Sequence, residues 1–320
     1  MSHPKQIIAR VLSVLVSLVA CVVIATTASA NSFDNVYVFG DSLLDVGNVY
    51  TATGGTTPLS PPYYNGRWSN GPLAIDLFAA NYGVTLAPSI LSGTDFAWGG
   101  ARAESTPATN VPDTIDQVNI FKASLGGASA DPAAIYVLDG GGNDIMPALQ
   151  SGNPSVVLQS ALTAMQQSVQ ILLNAGAQNI LLFNLPDVGL TPAVTQYGST
   201  VSAAATTLTQ QYNQGLWQIV QGFDNAGFNV YEADLFGFNH AVFSNPAAYG
   251  FTNITSPCLQ SNVACANPDE YFYWDSFHPT AATGRLLGAE LISSVPEPST
   301  MLLLWLGLIG LMGIRRRFQK

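Results

Sequence analysis

Short apolar runs alternate with helix-periodic segments between residues 31 and 295. Most of the apolar runs lead into loops rich in glycine, asparagine or aspartate, which is typical of buried strands that end at the edge of a sheet. This alternation favours an α/β layout with a largely parallel sheet in a single domain. The runs predict strands at residues 36–39, 85–98, 133–138, 179–183 and 228–231, and the periodic segments predict helices at 69–83, 154–175, 200–222 and 281–293.

Residues 1–30 have the pattern of a secretory signal peptide. A basic start precedes an apolar run over residues 11–24, and small residues follow it. Ala28-Ser29-Ala30 is typical of the cleavage site, so we expect Asn31 to be the first mature residue. Two alternatives are a lipoprotein-type cleavage at Cys21, which the continuing apolar run disfavours, and an uncleaved membrane anchor.

The other end, residues 295–320, combines a short motif, an apolar segment and a basic tail. The motif contains Pro296-Glu297-Pro298, the apolar segment covers residues 301–314, and Arg315-Arg316-Arg317 follow. The apolar segment is shorter than the ~20 residues of a comfortable membrane span, so its length would also suit a buried helix. Its terminal position and the arginines favour a membrane stop with the positive tail inside.

This tripartite end resembles the PEP-CTERM sorting signal of Gram-negative bacteria. The resemblance implies export, transient retention in the membrane and processing near Pro296-Glu297-Pro298 by an exosortase-type enzyme. The product would then reach the cell surface or the extracellular polymer matrix. A permanent single-span anchor is the alternative.

Charge is scarce and unevenly placed along the chain. Only 9% of the residues are charged and the formal net charge is −10. Six of the 10 basic residues lie near the two ends, which leaves a strongly acidic body without a basic stripe. Nucleic-acid binding is therefore excluded as a function class. The basic residues of the body are Arg67, Arg102, Lys122 and Arg285.

Cysteine usage agrees with export. Removal of the signal peptide would take Cys21 with it and leave Cys258 and Cys265 as the cysteines of the mature chain. In a loop-rich stretch of an exported protein, such a pair most simply forms a disulfide. Without nearby histidines it makes a poor zinc site.

Phe39-Gly40-Asp41-Ser42 places a serine directly after the first predicted strand. Open α/β sheets bind ligands outside the carboxyl ends of their strands, so Ser42 is a candidate nucleophile. An ordinary strand–turn–helix, with Asp41 or Ser42 as the helix N-cap, is the alternative. A serine nucleophile also requires a base, and a third group that orients the base.

Asp275-Ser276-Phe277-His278-Pro279 contains both partners. An aspartate three residues before a histidine can orient it within one local turn, so His278 is the candidate base and Asp275 its orienting carboxylate. The other histidine of the mature chain, His240, has no acidic neighbour at matching spacing and is interpreted as structural.

Two loops after predicted strands offer donors for the oxyanion of a tetrahedral intermediate. In Ala97-Trp98-Gly99-Gly100, glycine lets a backbone N–H approach a ligand closely. In Gly142-Asn143-Asp144, Asn143 offers its side-chain amide. Each feature is common in turns by itself. In this order along the chain, together with the serine and histidine motifs, they favour a serine hydrolase.

These motifs together resemble the GDSL (SGNH) hydrolase family, from about residue 33 to residue 291. Gly40-Asp41-Ser42-Leu43 is similar to the nucleophile block of that family, and Asp45 with Gly47-Asn48 extends it. One departure is Asp95, where many relatives carry asparagine. The other similar blocks are residues 96–100, 141–144 and 275–279, and segments 67–72 and 184–187 also look like family segments.

The resemblance implies a three-layer α/β/α flavodoxin-like fold with a mostly parallel five-stranded sheet. It also implies ester hydrolysis through an acyl-serine intermediate, without a metal or a cofactor. Ser42 would attack, His278 would carry the proton, and Asp275 would hold His278. The Gly-x-Ser-x-Gly elbow of α/β-hydrolases is absent around Ser42, which argues against that fold.

The oxyanion hole implied by the resemblance consists of the N–H groups of Ser42 and Gly100 and the side chain of Asn143. Gly99 is the alternative to Gly100, because the register of that block is ambiguous. Three nearby aspartates are interpreted as loop-fixing residues rather than metal ligands. They are Asp41, Asp45 and Asp144.

The sequence thus predicts a signal peptide at 1–30, a hydrolase domain at 31–294 and a sorting signal at 295–320. We expect an exported hydrolase of carboxylic esters, whose substrate is a lipid, a short-chain acyl ester or an acylated polysaccharide. The long loop at residues 51–66 is a candidate wall of the substrate cleft. The alternative function is a surface or matrix module that kept the fold without turnover.

Overall fold

A computed structural model describes residues 33–107 and 110–296 of the chain. Four strands form the central sheet: β1 (Val36–Phe39), β2 (Ile135–Leu138), β3 (Asn179–Phe183) and β4 (Asn229–Ala233). The helices are α1 (Asn48–Ala52), α2 (Ala74–Asn81), α3 (Thr114–Ser124), α4 (Gly142–Gln150), α5 (Pro154–Ala175), α6 (Pro192–Thr195), α7 (Ser199–Asn225), α8 (Leu235–Ser244) and α9 (Ala281–Ser293). Short strands lie between α8 and α9: β5 (Asn253–Pro257), β6 (Leu259–Gln260), β7 (Val263–Ala264) and β8 (Tyr271–Tyr273).

The central sheet is parallel throughout, in the order β1-β2-β3-β4. The registers pair Phe39 with Leu138 and Leu138 with Leu182, so the carboxyl ends of these strands lie side by side. Strand β2 is buried along its whole length, as expected for a parallel strand covered on both faces. The predicted α/β class with a mostly parallel sheet is confirmed.

The predicted second strand, at residues 85–98, does not form a regular strand in the structure. Its backbone follows β1, because Val38 donates to the Thr94 carbonyl at 3.0 Å and Phe96 donates to the Val38 carbonyl at 2.7 Å. Beside these bonds there are isolated bridges, of which one pairs Val38 with Asp95. Asp95 turns its carboxylate back to the backbone of Ala97 at 2.9 Å, which bends the segment. The sheet therefore has four regular strands and an irregular fifth position at the β1 edge.

Helices cover both faces of the sheet, which gives three layers. On one face, the apolar sides of α3, α5 and α7 pack against Tyr136, Leu138 and Ile180. On the other face, α2 and α9 pack against Val38 and Val137. Alternate residues of the same strands thus contribute to two separate cores, as the period of two of a strand requires.

A small subdomain follows α8 and ends in the segment that carries Asp275 and His278. Cys258 and Cys265 form a disulfide here, on either side of the β6–β7 turn. The following β8 leads to residues 275–279, and Thr280 caps the start of α9 by accepting from Thr283 N–H at 3.3 Å. The 275–279 loop is therefore held between a strand and a capped helix.

Both end segments that the sequence singles out, residues 1–30 and 301–314, lie outside the described residues. Across residues 33–107 and 110–296, none of the helices combines the length and the apolar character that crossing a membrane requires.

Candidate active site

The candidate nucleophile lies immediately after β1. Gly40 adopts a φ of +154°, and a Cβ added there would lie 2.9 Å from the Cβ of Asp139 at the end of β2. Glycine is therefore required where the two strand ends approach each other. The buried side chain of Gln117 holds this turn, because its Oε1 accepts from Gly40 N–H at 2.7 Å and its Nε2 donates to the Gly40 carbonyl at 2.9 Å. Ser42 is thus presented from a backbone fixed on both sides.

The structure brings Ser42, His278 and Asp275 together in one chain of hydrogen bonds. The Nε2 atom of His278 lies 2.8 Å from Ser42 Oγ, and its Nδ1 atom lies 2.7 Å from Asp275 Oδ2. The other carboxylate oxygen of Asp275 accepts from the backbone N–H groups of Phe277 and His278, both at 2.8 Å. The local turn therefore fixes the carboxylate, and the carboxylate fixes the imidazole.

Asp275 is held in its ionised form. Burial by itself raises the pKa of a carboxyl group, but the adjacent His278 and the hydrogen bonds to the carboxylate outweigh it and lower the pKa of Asp275 to about 2. Asp275 therefore stays charged through the neutral range and can stabilise a protonated imidazole.

The structure distinguishes the two glycines that the sequence leaves as alternatives. Gly99 donates its N–H to Asp45 Oδ2 at 2.9 Å, so this donor already has a partner. The backbone N–H groups of Gly100 and Ser42 have no protein acceptor among the described residues. Gly100 has a φ of +88°, and no atom within 4 Å would meet an added Cβ, so the chain is not closely packed on that side of Gly100.

Asn143 lies at the start of α4, opposite the serine loop. Its Nδ2 donates to the Ala101 carbonyl at 2.8 Å and to Asp41 Oδ2 at 3.2 Å. Together with Ser42, Gly100 and His278 it lines one cavity of about 370 Å³. These four sequence-predicted residues thus line one pocket at the carboxyl edge of the sheet, where open α/β sheets bind their ligands, and Asp275 contacts the pocket residue His278.

A model of the GDSL-like lipase/acylhydrolase family matches residues 36–291, which is most of the chain. The chain belongs to this GDSL family. A second model, of the PEP-CTERM protein-sorting motif, matches residues 294–317. The two matches adjoin each other and together reach from β1 to the basic tail.

Three curated relatives show how far the GDSL similarity extends. Lipase 1 of Photorhabdus luminescens is 29% identical over 88% of this chain, but the alignment covers only 53% of that lipase. A GDSL esterase/lipase of Arabidopsis thaliana is 26% identical, with 82% of this chain and 86% of the plant protein covered. The phosphatidylcholine-sterol acyltransferase of Aeromonas hydrophila is 30% identical, with coverages of 69% and 64%.

Asp45 and Asp144 of this GDSL chain hold loops, as the interpretation from sequence expects, and Asp95 holds a third loop. Asp45 accepts from the N–H groups of Gly47, Asn48 and Gly99, at distances of 2.6–2.9 Å. Asp144 accepts from Ala103 N–H at 3.0 Å, and burial raises its pKa to about 6. Asp95, the departure from the family pattern, accepts from Val46 N–H at 2.7 Å and is fully buried.

His240 lies outside the pocket that contains Ser42. Its Nε2 atom lies 3.0 Å from Asp187 Oδ2, and its ring lies against Phe236 with centroids 4.4 Å apart. The acidic partner is far away in sequence, so spacing along the chain gave no signal for it. The contact fits the structural role that the sequence analysis assigns to His240.

Tyr63 is a site residue that the sequence reasoning missed. It lies in the 51–66 loop and donates its hydroxyl to Asp275 Oδ2 at 2.7 Å, the same oxygen that contacts His278. Burial and the neighbouring Asp275 carboxylate raise the pKa of Tyr63 above its usual value, so the hydroxyl remains a donor. Trp68, from the end of the same loop region, lies against the His278 ring with centroids 5.3 Å apart.

Replacing Tyr63 with phenylalanine should remove one donor to Asp275 and lower kcat by about 10-fold, since hydrogen bonds to charged groups contribute about 1.5–3 kcal/mol. KM should change little, because the hydroxyl points to Asp275 rather than into the cavity. Steady-state kinetics on a soluble ester measures both parameters. Tyr64→Phe is the matched control, since the Tyr64 ring lies beside Arg67 and not beside the triad. Equal rates for the two variants would contradict the role of Tyr63.

Proposed function

We propose that this GDSL protein hydrolyses carboxylic esters through an acyl-enzyme on Ser42. The observation that carries the proposal is the hydrogen-bonded chain from Ser42 Oγ through His278 to Asp275, at the wall of a cavity of about 370 Å³. In the first step His278 takes the Ser42 proton while Oγ attacks the carbonyl carbon. His278 then gives that proton to the leaving alcohol.

Hydrolysis of the acyl-serine is the second half of the reaction. A water molecule attacks the acyl carbon while His278 takes one of its protons, and the carboxylic acid leaves as Ser42 Oγ takes that proton back. We assign the oxyanion hole to the backbone N–H groups of Ser42 and Gly100 and to the Asn143 amide. The two backbone donors are not used by other described residues, which supports this assignment.

The cavity wall supports an apolar acyl group as the preferred part of the substrate. Its lining is largely aliphatic or aromatic beyond the triad and the oxyanion residues, and Phe277 at its rim is 51% exposed. Burying each methylene of an acyl chain contributes about 0.8 kcal/mol, so such a wall favours a longer chain over a bare acetyl group. The apolar residues of the wall are Leu43, Trp68, Met146, Leu185, Pro186, Val188 and Phe277.

Narrowing this wall should change the preferred chain length. We expect Met146→Trp to lower kcat/KM for medium-chain p-nitrophenyl esters at least about 10-fold. The kcat/KM for p-nitrophenyl acetate should change less than about threefold. The difference arises because the medium chain loses the burial of several methylenes, whereas the acetyl group does not reach the narrowed part of the wall. Leu91→Trp is the control, since Leu91 is 64% exposed and lies outside the cavity. Unchanged chain-length preference in Met146→Trp would contradict the assignment of this wall.

The proposed reaction is tested directly with the purified protein. We expect hydrolysis of p-nitrophenyl esters, and a covalent adduct on Ser42 after treatment with a fluorophosphonate, identified by peptide mass spectrometry. Absence of both the hydrolysis and the adduct would contradict the proposal. That outcome would favour the alternative function, a surface or matrix module without turnover.

We also propose an order of processing for the two ends. Residues 1–30 would be removed as a signal peptide, and 295–320 would act as the sorting signal behind the hydrolase domain at 31–294. The match of the sorting motif to residues 294–317 and the disulfide Cys258–Cys265 support an exported product. An exosortase-type enzyme would then process the protein for the cell surface or matrix after transient membrane retention. Mass spectrometry of the exported protein tests both new termini.

A further inference from the structure

Two buried aspartates lie directly behind the proposed oxyanion donor Asn143. Asp41 is 5% exposed and Asp139 is 1% exposed, and they follow the ends of the adjacent strands β1 and β2. The close approach of the chain at Gly40 brings the two residues together, since a Cβ on Gly40 would lie 2.9 Å from the Cβ of Asp139. The proposed mechanism uses neither carboxyl group in a chemical step.

The hydrogen bonds of the pair are incomplete if both groups are ionised. Asp41 accepts from Leu43 N–H at 2.9 Å and from Asn143 Nδ2 at 3.2 Å. The Oδ2 atom of Asp139 is buried, and no described residue donates to it. The two carboxyl groups also lie close enough to interact directly. Because a carboxylate only accepts, a hydrogen bond between them requires a proton on one of the two groups.

We propose that Asp139 carries a proton at neutral pH and donates it in a hydrogen bond to Asp41, which leaves Asn143 able to turn an N–H to the oxyanion. Asp139 is then a positioning residue that acts through Asp41 and Asn143. Its effect on the rate rests on the proposed ester hydrolysis, whereas its protonation is independent of that function. Burial and the adjacent Asp41 raise the pKa of Asp139 well above that of an ordinary aspartate, in agreement with the proton placed there.

The reason for the proton lies in the two bonds of Asn143. Both of its amide hydrogens have acceptors in the free protein: the Ala101 carbonyl at 2.8 Å, and Asp41 at the longer distance of 3.2 Å. Without a donor from Asp139, an ionised Asp41 would keep the second amide hydrogen of Asn143 and repel the negative oxyanion. A hydrogen bond from protonated Asp139 gives Asp41 a donor that replaces Asn143. The net charge of the two carboxyl groups then changes from −2 to −1.

Other titratable groups near the pair do not supply the missing donor. Tyr212 is fully buried and interacts with both carboxylates, but its hydroxyl donates to the Gly140 carbonyl at 2.7 Å. His278 is bonded to Ser42 and Asp275 on its two ring nitrogens. The remaining titratable neighbours are acidic groups held by backbone N–H donors, namely Asp45 and Asp144.

Two substitutions of Asp139 separate the donor from the shape of the side chain. Asp139→Asn keeps the shape and offers a permanent neutral donor to Asp41, so we expect kcat within about threefold of the wild type. Asp139→Val keeps the size without a donor, and we expect kcat to fall about 100-fold with little change in KM, the effect of losing one oxyanion donor. Asp131→Asn, at the opposite end of β2, is the matched control.

The pH dependence of these proteins distinguishes positioning from a structural role. Wild-type turnover should fall on the alkaline side as the pair loses its proton, and Asp139→Asn should lack this fall. Because the folded carboxyl keeps a proton that the unfolded chain releases above about pH 4, wild-type stability should decline as pH rises through neutrality. The melting temperature of Asp139→Asn minus that of the wild type should therefore increase with pH.

A spectroscopic readout tests the proton without turnover. The infrared difference spectrum between wild type and Asp139→Asn at neutral pH should contain the carbonyl band of a protonated carboxylic acid, shifted in deuterium oxide. Absence of that band would overturn the proposal, even if the ester hydrolysis holds. Superimposable pH profiles of wild type and Asp139→Asn, with the band present, would overturn its catalytic part. If Asp139→Val does not fold, the Asp139→Asn variant decides. A folded Asp139→Asn that loses more than about 90% of the wild-type kcat would contradict the proposal.

Discussion

Alanine at position 42 should reduce kcat/KM for ester hydrolysis by at least about 10⁴-fold, because removing one member of a catalytic triad removes nearly the effect of all three. The Oγ atom of Ser42 is the group that His278 Nε2 contacts at 2.8 Å, so Ser42→Ala leaves the base without a nucleophile. The fold should be unchanged, since the substitution deletes a single oxygen at a partly exposed position. Initial rates on p-nitrophenyl esters and a thermal melt measure the two effects.

Ser155→Ala is the matched control for that experiment. Ser155 is an exposed serine in the first turn of α5, outside the cavity that contains Ser42. We expect wild-type rates and labelling by a fluorophosphonate for this control, and no labelling for Ser42→Ala. Hydrolysis by Ser42→Ala at more than about a hundredth of the wild-type rate would exclude Ser42 as the nucleophile.

Asparagine at position 275 should lower kcat by about 10³–10⁴-fold while the geometry of the loop is kept. In the wild type Asp275 accepts from His278 Nδ1 at 2.7 Å, which directs the free lone pair of Nε2 to Ser42. An amide at this position can donate to Nδ1 and thereby favours the wrong tautomer. It also removes the negative charge that stabilises the protonated imidazole. Single-turnover kinetics with enzyme in excess of the ester would show slow acylation.

The control for this substitution is Asp269→Asn, because Asp269 is 72% exposed and forms a surface ion pair with Arg285 at 3.2 Å. Its rate should equal that of the wild type, since exposed ion pairs contribute about 0–1 kcal/mol. Since the pKa of Asp275 is about 2, protonation of Asp275 does not account for a fall of the wild-type rate between neutrality and about pH 5. A rate for Asp275→Asn above a tenth of the wild type would contradict the role of Asp275.

The regular parts of the fold were predictable where a strong local pattern coincides with burial. The apolar runs at 36–39, 133–138 and 179–183 correspond closely to β1, β2 and β3, and the periodic segment at 281–293 corresponds to α9. A parallel strand buried on both faces is apolar along its length, so its sequence pattern can be recognised without information about the residues that pack against it. The sequence predicted a strand at residues 85–98. This segment does lie beside β1, but it does not form a regular strand, because the carboxylate of the buried Asp95 accepts from Ala97 N–H and bends the chain.

The helices α4 and α8 were missed for local reasons. Helix α4 begins at Gly142 and contains Pro147, two residues that indicate a turn when the sequence is taken alone. Helix α8 contains Gly237 and Asn239 among aromatic residues, and its buried side packs against the subdomain that precedes α9. In both segments tertiary packing stabilises a helix that intrinsic propensity does not favour.

By itself, the sequence predicted the succession of most strands along the chain, the family and the candidate roles of Ser42, Asp275 and His278, because each of these residues belongs to a short motif next to a strong element. Only the tertiary structure decided which donors and carboxyl groups meet around Ser42. Gly99 bonds to Asp45, Tyr63 reaches Asp275 across 212 positions, and Asp139 lies behind Asn143 through its contact with Asp41. Contacts between strand ends depend on register and loop path, and local periodicity carries no information about either.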